Sequence, residues 1–195
     1  MRGIEQIPWL YDALMFVIDV CGLSRWRREL TAGVGERTLE VGCGTGRNLP
    51  HYLTHTRLVA LDRNFQILGD ARRRFPHLPL VVARVEALPF RAGIFDSVVS
   101  SLVFCSVENP GQGLAEIRRV LRPHGELRMI EHVRHPHPRG AAIQDLIQPI
   151  WTKVTGGCHP NRDTERAVER AGFSIEESGR MSWGVLRYFS ARLRG

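Results

Sequence analysis

The chain has 195 residues, 43% of them hydrophobic and 24% charged, with a formal net charge of +7. That length and composition exclude a disordered chain and point to a single domain over 1–195. The lack of an 18-residue apolar run excludes a transmembrane helix, and no secretory leader is read at the N-terminus.

Cys21, Cys43, Cys105 and Cys158 stand far apart with no Cys-x-x-Cys pair. The expectation is a reduced, cytoplasmic protein without a zinc site. Lys153 is the one lysine, so the positive charge is arginine. The arginines are spread along the chain, and the clusters at 25–28 and 72–74 lack interleaved aromatics. Nucleic acid is therefore not the expected partner.

In chain order, residues 4–20 carry Ile7, Leu10, Leu14, Val17 and Ile18 at helical spacing, with Trp9, Tyr11 and Phe16 added. This reads as a lid helix across a ligand mouth. Packing on a sheet edge and peripheral contact with a membrane interface remain open alternatives. Ser24 is placed to cap a short basic helix through Leu30.

Residues 37–42 read as strand one. They run into Gly42, Gly44 and Gly46 at alternate positions, then a helix to about residue 54 with Thr45 and Asn48 as capping candidates. A strand feeding a glycine turn is how open α/β sheets meet nucleotide-like ligands. Arg47 stands where a dinucleotide fingerprint wants a third glycine or alanine, which argues against a dinucleotide.

Strand two, 57–62, ends in Asp62, twenty residues after Gly42, where a carboxylate can take both ribose hydroxyls. Asn64 caps a helix over 65–75, stopped by Pro76, and strand three follows at 80–83. Strand four is 95–101, a helix covers 111–121, and strand five is 126–133. The alternation predicts a parallel, doubly wound sheet.

Residues 134–162 then break the alternation. They form a proline-stiffened loop, an amphipathic helix over 141–154 interrupted at Pro149, and a tight loop to Pro160. The apolar side of that helix, Ile143, Leu146, Ile147, Ile150 and Trp151, is read as lining for a lipophilic acceptor or as a seal on the core. A helix over 164–171 and strands at 173–180 and 182–193 close the chain.

Glu40-Val-Gly-Cys-Gly-Thr-Gly46, Leu88-Pro-Phe90, Glu116-Ile-Arg-Arg-Val-Leu-Arg-Pro123 and Gly157-Cys-His-Pro-Asn-Arg-Asp-Thr164 together resemble class I S-adenosylmethionine-dependent methyltransferases of the type 11 group. They are similar to animal thiol S-methyltransferases and to bacterial phospholipid and quinone-type methyltransferases. The resemblance implies an α/β Rossmann-like sheet of seven strands, mostly parallel, with helices on both faces and an antiparallel C-terminal hairpin edge. It divides the domain into lid helices at 1–35, a cofactor core at 36–133, an acceptor lid at 134–162, and a final helix with edge strands at 163–195.

It also implies S-adenosylmethionine as cofactor, with a small-molecule acceptor such as a thiol. Glu40, Gly42, Cys43, Gly44, Gly46 and Asn48 would hold the amino-acid end. Asp62 and Arg63 would take the ribose, Val85 and Glu86 the adenine, and Ser101, Leu102 and Tyr11 the methionine side. Arg84 replaces the aspartate that usually faces the adenine amine.

Methyl transfer from a sulfonium is an in-line displacement governed by positioning. A thiol acceptor depends on its thiolate fraction, and an amine needs a base. His132 and His159 are the catalytic candidates, with Glu131 a further one. No metal is expected, because spacing and prolines separate His132, His135, His137 and His159. An RNA- or protein-modifying enzyme and a non-catalytic cofactor-binding module remain the competing readings.

Overall fold

The computed structural model describes residue 16 and residues 19–194. The lid helix expected at 4–20, with Tyr11, lies almost wholly outside them. Seven strands form one sheet: β1 (Arg37–Val41), β2 (Arg57–Asp62), β3 (Leu80–Val82), β4 (Phe95–Ser101), β5 (Leu121–His132), β6 (Phe173–Trp183) and β7 (Leu186–Leu193). Their order is β3-β2-β1-β4-β5-β7-β6. The strands from β1 to β5 pair in parallel, and β7 pairs antiparallel with both β5 and β6. The expected doubly wound sheet with its hairpin edge is therefore present.

Five α-helices are described: α1 (Ser24–Thr31), α2 (Phe65–Arg74), α3 (Pro110–Val120), α4 (Pro138–Thr155) and α5 (Thr164–Arg170). Caps set their starts. Asn64 accepts from the amides of Gln66 and Ile67 at α2, Asn109 from Gln112 at α3, and Asp163 from Arg166 at α5.

Strand alternation feeds hydrophobic clusters on both faces of the sheet. On β1, Leu39 and Val41 enter the larger cluster with Val98, Ile117, Leu127 and Phe189. Val99 and Ile130 point to the opposite face and pack with Leu30 and Tyr188. A period of two divides these residues between faces, as a sheet covered on both sides requires.

Four local expectations are corrected. No helix follows the glycine loop; it gives way to a short 3₁₀ turn at Leu49–His51. The Asn48 side chain makes no cap there, and the turn ends at Tyr52, whose backbone is already extended. Ser24 is not a cap, because α1 continues from a π-type turn over Asp19–Leu23 and its N-cap Leu23 is already helical.

The helix expected at 141–154 is α4, which starts earlier, at Pro138, and runs through Pro149 without interruption. Finally, its apolar stripe does not seal the core. Ile143, Leu146 and Ile150 are 58%, 80% and 71% exposed, and Ala141 is the buried residue of the helix.

Candidate functional site

Strand order reverses at β1, which has β2 on one side and β4 on the other. The connections leave in opposite directions there, so a crevice opens at the strand carboxyl ends. A cavity of about 550 Å³ occupies it, within the range that encloses a cofactor-sized ligand.

Of the residues named from sequence, Gly42, Gly44, Asp62 and Arg63 line it. Val85, Glu86, Ser101 and Leu102 line it as well. The backbone is left-handed at Gly42 and Gly44 (φ 65° and 56°), so the loop rounds the β1 terminus closely. Asp62 Oδ2 accepts from the Gly44 amide at 3.0 Å and Oδ1 from the Asn64 amide at 2.8 Å. The carboxylate therefore braces the glycine loop, with lone pairs left for two hydroxyls. Burial raises its pKa, opposed by those two amides.

Glu40, Cys43, Gly46 and Asn48 are brought to the loop but stand behind the cavity wall. Glu40 is 1% exposed, and its Oε1 accepts from Asn48 Nδ2 at 3.0 Å. Its Oε2 and the Tyr52 hydroxyl are buried without a well-formed hydrogen bond. Burial lifts Glu40 to about 7, against the lowering effects of Tyr52, Asn48 and Arg27. Burial, with Glu40 and Asp62 nearby, pushes the Cys43 thiol far up, which makes it inert as a nucleophile.

Arg27 was not legible from sequence. It is 4% exposed, and its guanidinium binds Asp19 Oδ1 at 2.8 Å, Asn48 Oδ1 at 2.6 Å and Ser101 Oγ at 3.2 Å. Asp19 also takes Arg47 at 2.9 Å and 2.5 Å. One buried cation thus ties α1 to the glycine loop and to the end of β4. Arg84 stays at the rim, paired with Glu108 at 2.7 Å and Glu86 at 3.6 Å. Glu86 Oε1 also accepts from the Glu108 and Asn109 amides.

The far wall follows β4. Leu102 has a positive φ of 58°, costly for a bulky residue, and its amide donates to Ile130 O at 2.7 Å. Glu131, fully buried on β5, holds the turn after it. Its Oε1 accepts from Ser100 Oγ (3.1 Å), the Val103 amide (2.9 Å) and the Phe104 amide (3.0 Å). Burial raises Glu131 to about 7.

His132 and His159, named as catalytic candidates, do not line the cavity. His159 Nδ1 donates to Gly157 O at 2.8 Å, and its amide donates to Cys105 O at 2.8 Å. His132 instead meets two cysteines. Cys158 Sγ lies 3.9 Å from His132 Nδ1, and the donor atoms of Cys105, His132 and Cys158 all fall within 4.8 Å of one another. The Cys158 thiol is held well below its usual range, first by a hydrogen bond from Cys105 and then by His132. His135 and His137 belong to the turn before α4, where His137 Nδ1 accepts from the Arg139 amide. The four histidines therefore do not converge, and two of the cysteines that sequence spacing set apart, Cys105 and Cys158, do.

Residues 39–129 match the family model of a methyltransferase domain. The thiol S-methyltransferase TMT1B of Homo sapiens is 40% identical over 144 residues, 70% of this chain and 59% of that protein. A demethylmenaquinone methyltransferase of Renibacterium salmoninarum is 34% identical over 137 residues, 68% of this chain and 57% of its own length. The chain thus spans somewhat over half the length of these relatives. Among solved structures, an S-adenosylmethionine-dependent methyltransferase of Thermotoga maritima superposes with a TM-score of 0.73. It is 17% identical and covers 98% of both chains, a likeness of fold.

Proposed function

Because the chain belongs, through its methyltransferase domain at residues 39–129, to the class I methyltransferases, we propose that it transfers a methyl group from S-adenosylmethionine to a small lipophilic thiol. The observation that carries this reading is the cavity itself. It brings the left-handed Gly42–Gly44 turn and the Asp62 carboxylate together at the topological switch point.

In this reading Asp62 accepts the ribose hydroxyls and the glycine turn lets the ligand approach the backbone. Ser101 and Leu102 flank the methionine side. Glu40 acts from behind the loop, through Asn48, as a positioning residue. The acceptor enters along Val103 and Val107, whose apolar side chains favour a lipophilic partner. No base need touch the acceptor, since a thiol ionises in water and the sulfonium is already a strong electrophile. That fits His132 and His159 standing outside the cavity. The chemistry needs reduced thiols, and we place it in the cytoplasm.

Calorimetric titration with S-adenosylmethionine is the direct check. Wild type is expected to bind, and Asp62→Ala to bind at least ~10-fold more weakly, about 1.4 kcal/mol. Unchanged binding by Asp62→Ala would sink the assignment. A methyl-transfer screen from labelled cofactor, run with alkyl thiols, hydrogen sulfide, quinols and phosphatidylethanolamine vesicles, then identifies the acceptor. A quinol is the second reading, supported by the demethylmenaquinone methyltransferase relative.

A further inference from the structure

We infer that Cys105, His132 and Cys158 form a binding site for a soft divalent cation of the zinc type. The three residues come from distant parts of the chain. Cys105 sits on the turn after β4, His132 is the last residue of β5, and Cys158 lies on the loop after α4. Both cysteines are enclosed, at 1% and 2% exposure, and His132 is half-buried. Two sulfurs and one imidazole nitrogen are the donor set that selects zinc over calcium or magnesium.

The spacing fits. Metal–sulfur bonds of about 2.3 Å and metal–nitrogen bonds of about 2.0 Å put tetrahedral donors roughly 3.5–3.8 Å apart. Cys158 Sγ and His132 Nδ1 are 3.9 Å apart, and no pair in the cluster exceeds 4.8 Å. Shifting the donor atoms by about 1 Å or less closes the site to those bond lengths. Two thiols give up two protons to solvent on binding, so two thiolates balance one dication.

The backbone around each ligand is already fixed. The His159 amide donates to Cys105 O at 2.8 Å, Thr152 Oγ1 to Cys158 O at 2.8 Å, and Thr164 Oγ1 to His132 O at 3.3 Å. Three protein donors leave one tetrahedral position for an outside ligand, the pattern of an open rather than a closed site. The neighbouring residues Ser106 and Gly156 line the cofactor cavity, so the cation would sit just behind its wall. It would also tie the loop after the lid helix to the sheet, and metal loading would stabilise the fold by mass action.

The test uses the full chain, purified under reducing, oxygen-free conditions, stripped with a chelator and titrated with cobalt(II). One equivalent is expected to bind, with a thiolate-to-cobalt charge-transfer band and the intense visible bands of tetrahedral cobalt. Zinc should displace it and raise Tm. Cys105→Ser and Cys158→Ser should lose the band, and His132→Asn should weaken binding at least ~10-fold, as loss of one of three ligands requires. If the serine variants do not fold, the wild-type and His132→Asn titrations decide alone. Asp62→Ala should take up cobalt like wild type, because the site does not depend on cofactor binding. The inference is overturned if wild type shows no charge-transfer band. It is equally overturned if His132→Asn titrates like wild type.

Discussion

Two glycines of one loop should fail in different ways when given a methyl group. At Gly42 an added Cβ lands 2.4 Å and 2.8 Å from the two Val103 methyls, at a φ of 65°. The left-handed backbone costs an L-residue about 1–2 kcal/mol, and forcing a methyl into a packed wall adds about 1–3 kcal/mol. Gly42→Ala should therefore lose roughly 2–5 kcal/mol, and Tm should fall by about 4–20 °C for a domain of this size. At Gly44 the added Cβ meets nothing within 4 Å, at a φ of 56°. Only the backbone cost of about 1–2 kcal/mol applies, so Tm should drop by about 2–8 °C. Gly44 lines the cavity, so under the proposed function a Cβ there crowds the cofactor. Gly44→Ala should weaken S-adenosylhomocysteine at least ~10-fold, about 1.4 kcal/mol. Thermal melts and calorimetry on both variants separate the two effects. A Gly42→Ala variant that melts like wild type would refute the packing reasoning. A Gly44→Ala variant that binds the ligand with an unchanged Kd would refute the placement of the cofactor.

Glu40 predicts a pH dependence of the ligand-free protein. Its pKa is raised from 4.5 to about 7, so the folded state holds a proton the unfolded state has lost. Its stabilising contribution is complete below about pH 4.5 and disappears as pH rises through about 7. Glu40→Gln keeps the acceptor for Asn48 and removes the titration. Between about pH 4.5 and 8, wild type should therefore lose more stability than the variant, by on the order of 3 kcal/mol in urea melts; parallel pH profiles would contradict this. Arg27→Leu strands Asp19, Asn48 and Ser101, and should cost about 3 kcal/mol as a broken buried pair, read by the same melts. A loss below about 1 kcal/mol, the range of an exposed pair, would show that Arg47 alone holds Asp19.

Strand positions and the meeting of Gly42 with Asp62 at one cavity were legible in the chain because they depend on local rules. Leu39 and Val41 alternate around Glu40, Asn64 and Asn109 cap the helices that begin beside them, and Gly42 with Asp62 stands at a spacing set by one βαβ unit. The helix expected after the glycine loop shrinks to one 3₁₀ turn, because Asn48 makes no cap and the backbone turns extended at Tyr52. Two features came from tertiary contact alone. Arg27's role depends on Asp19, Asn48 and Ser101 meeting it from three separate elements. Cys105, His132 and Cys158 lie on separate segments, and only the packing of the loop after α4 against the ends of β4 and β5 brings their donor atoms within reach. Local geometry is encoded over a few residues, whereas a convergence of distant side chains exists only once the sheet has formed.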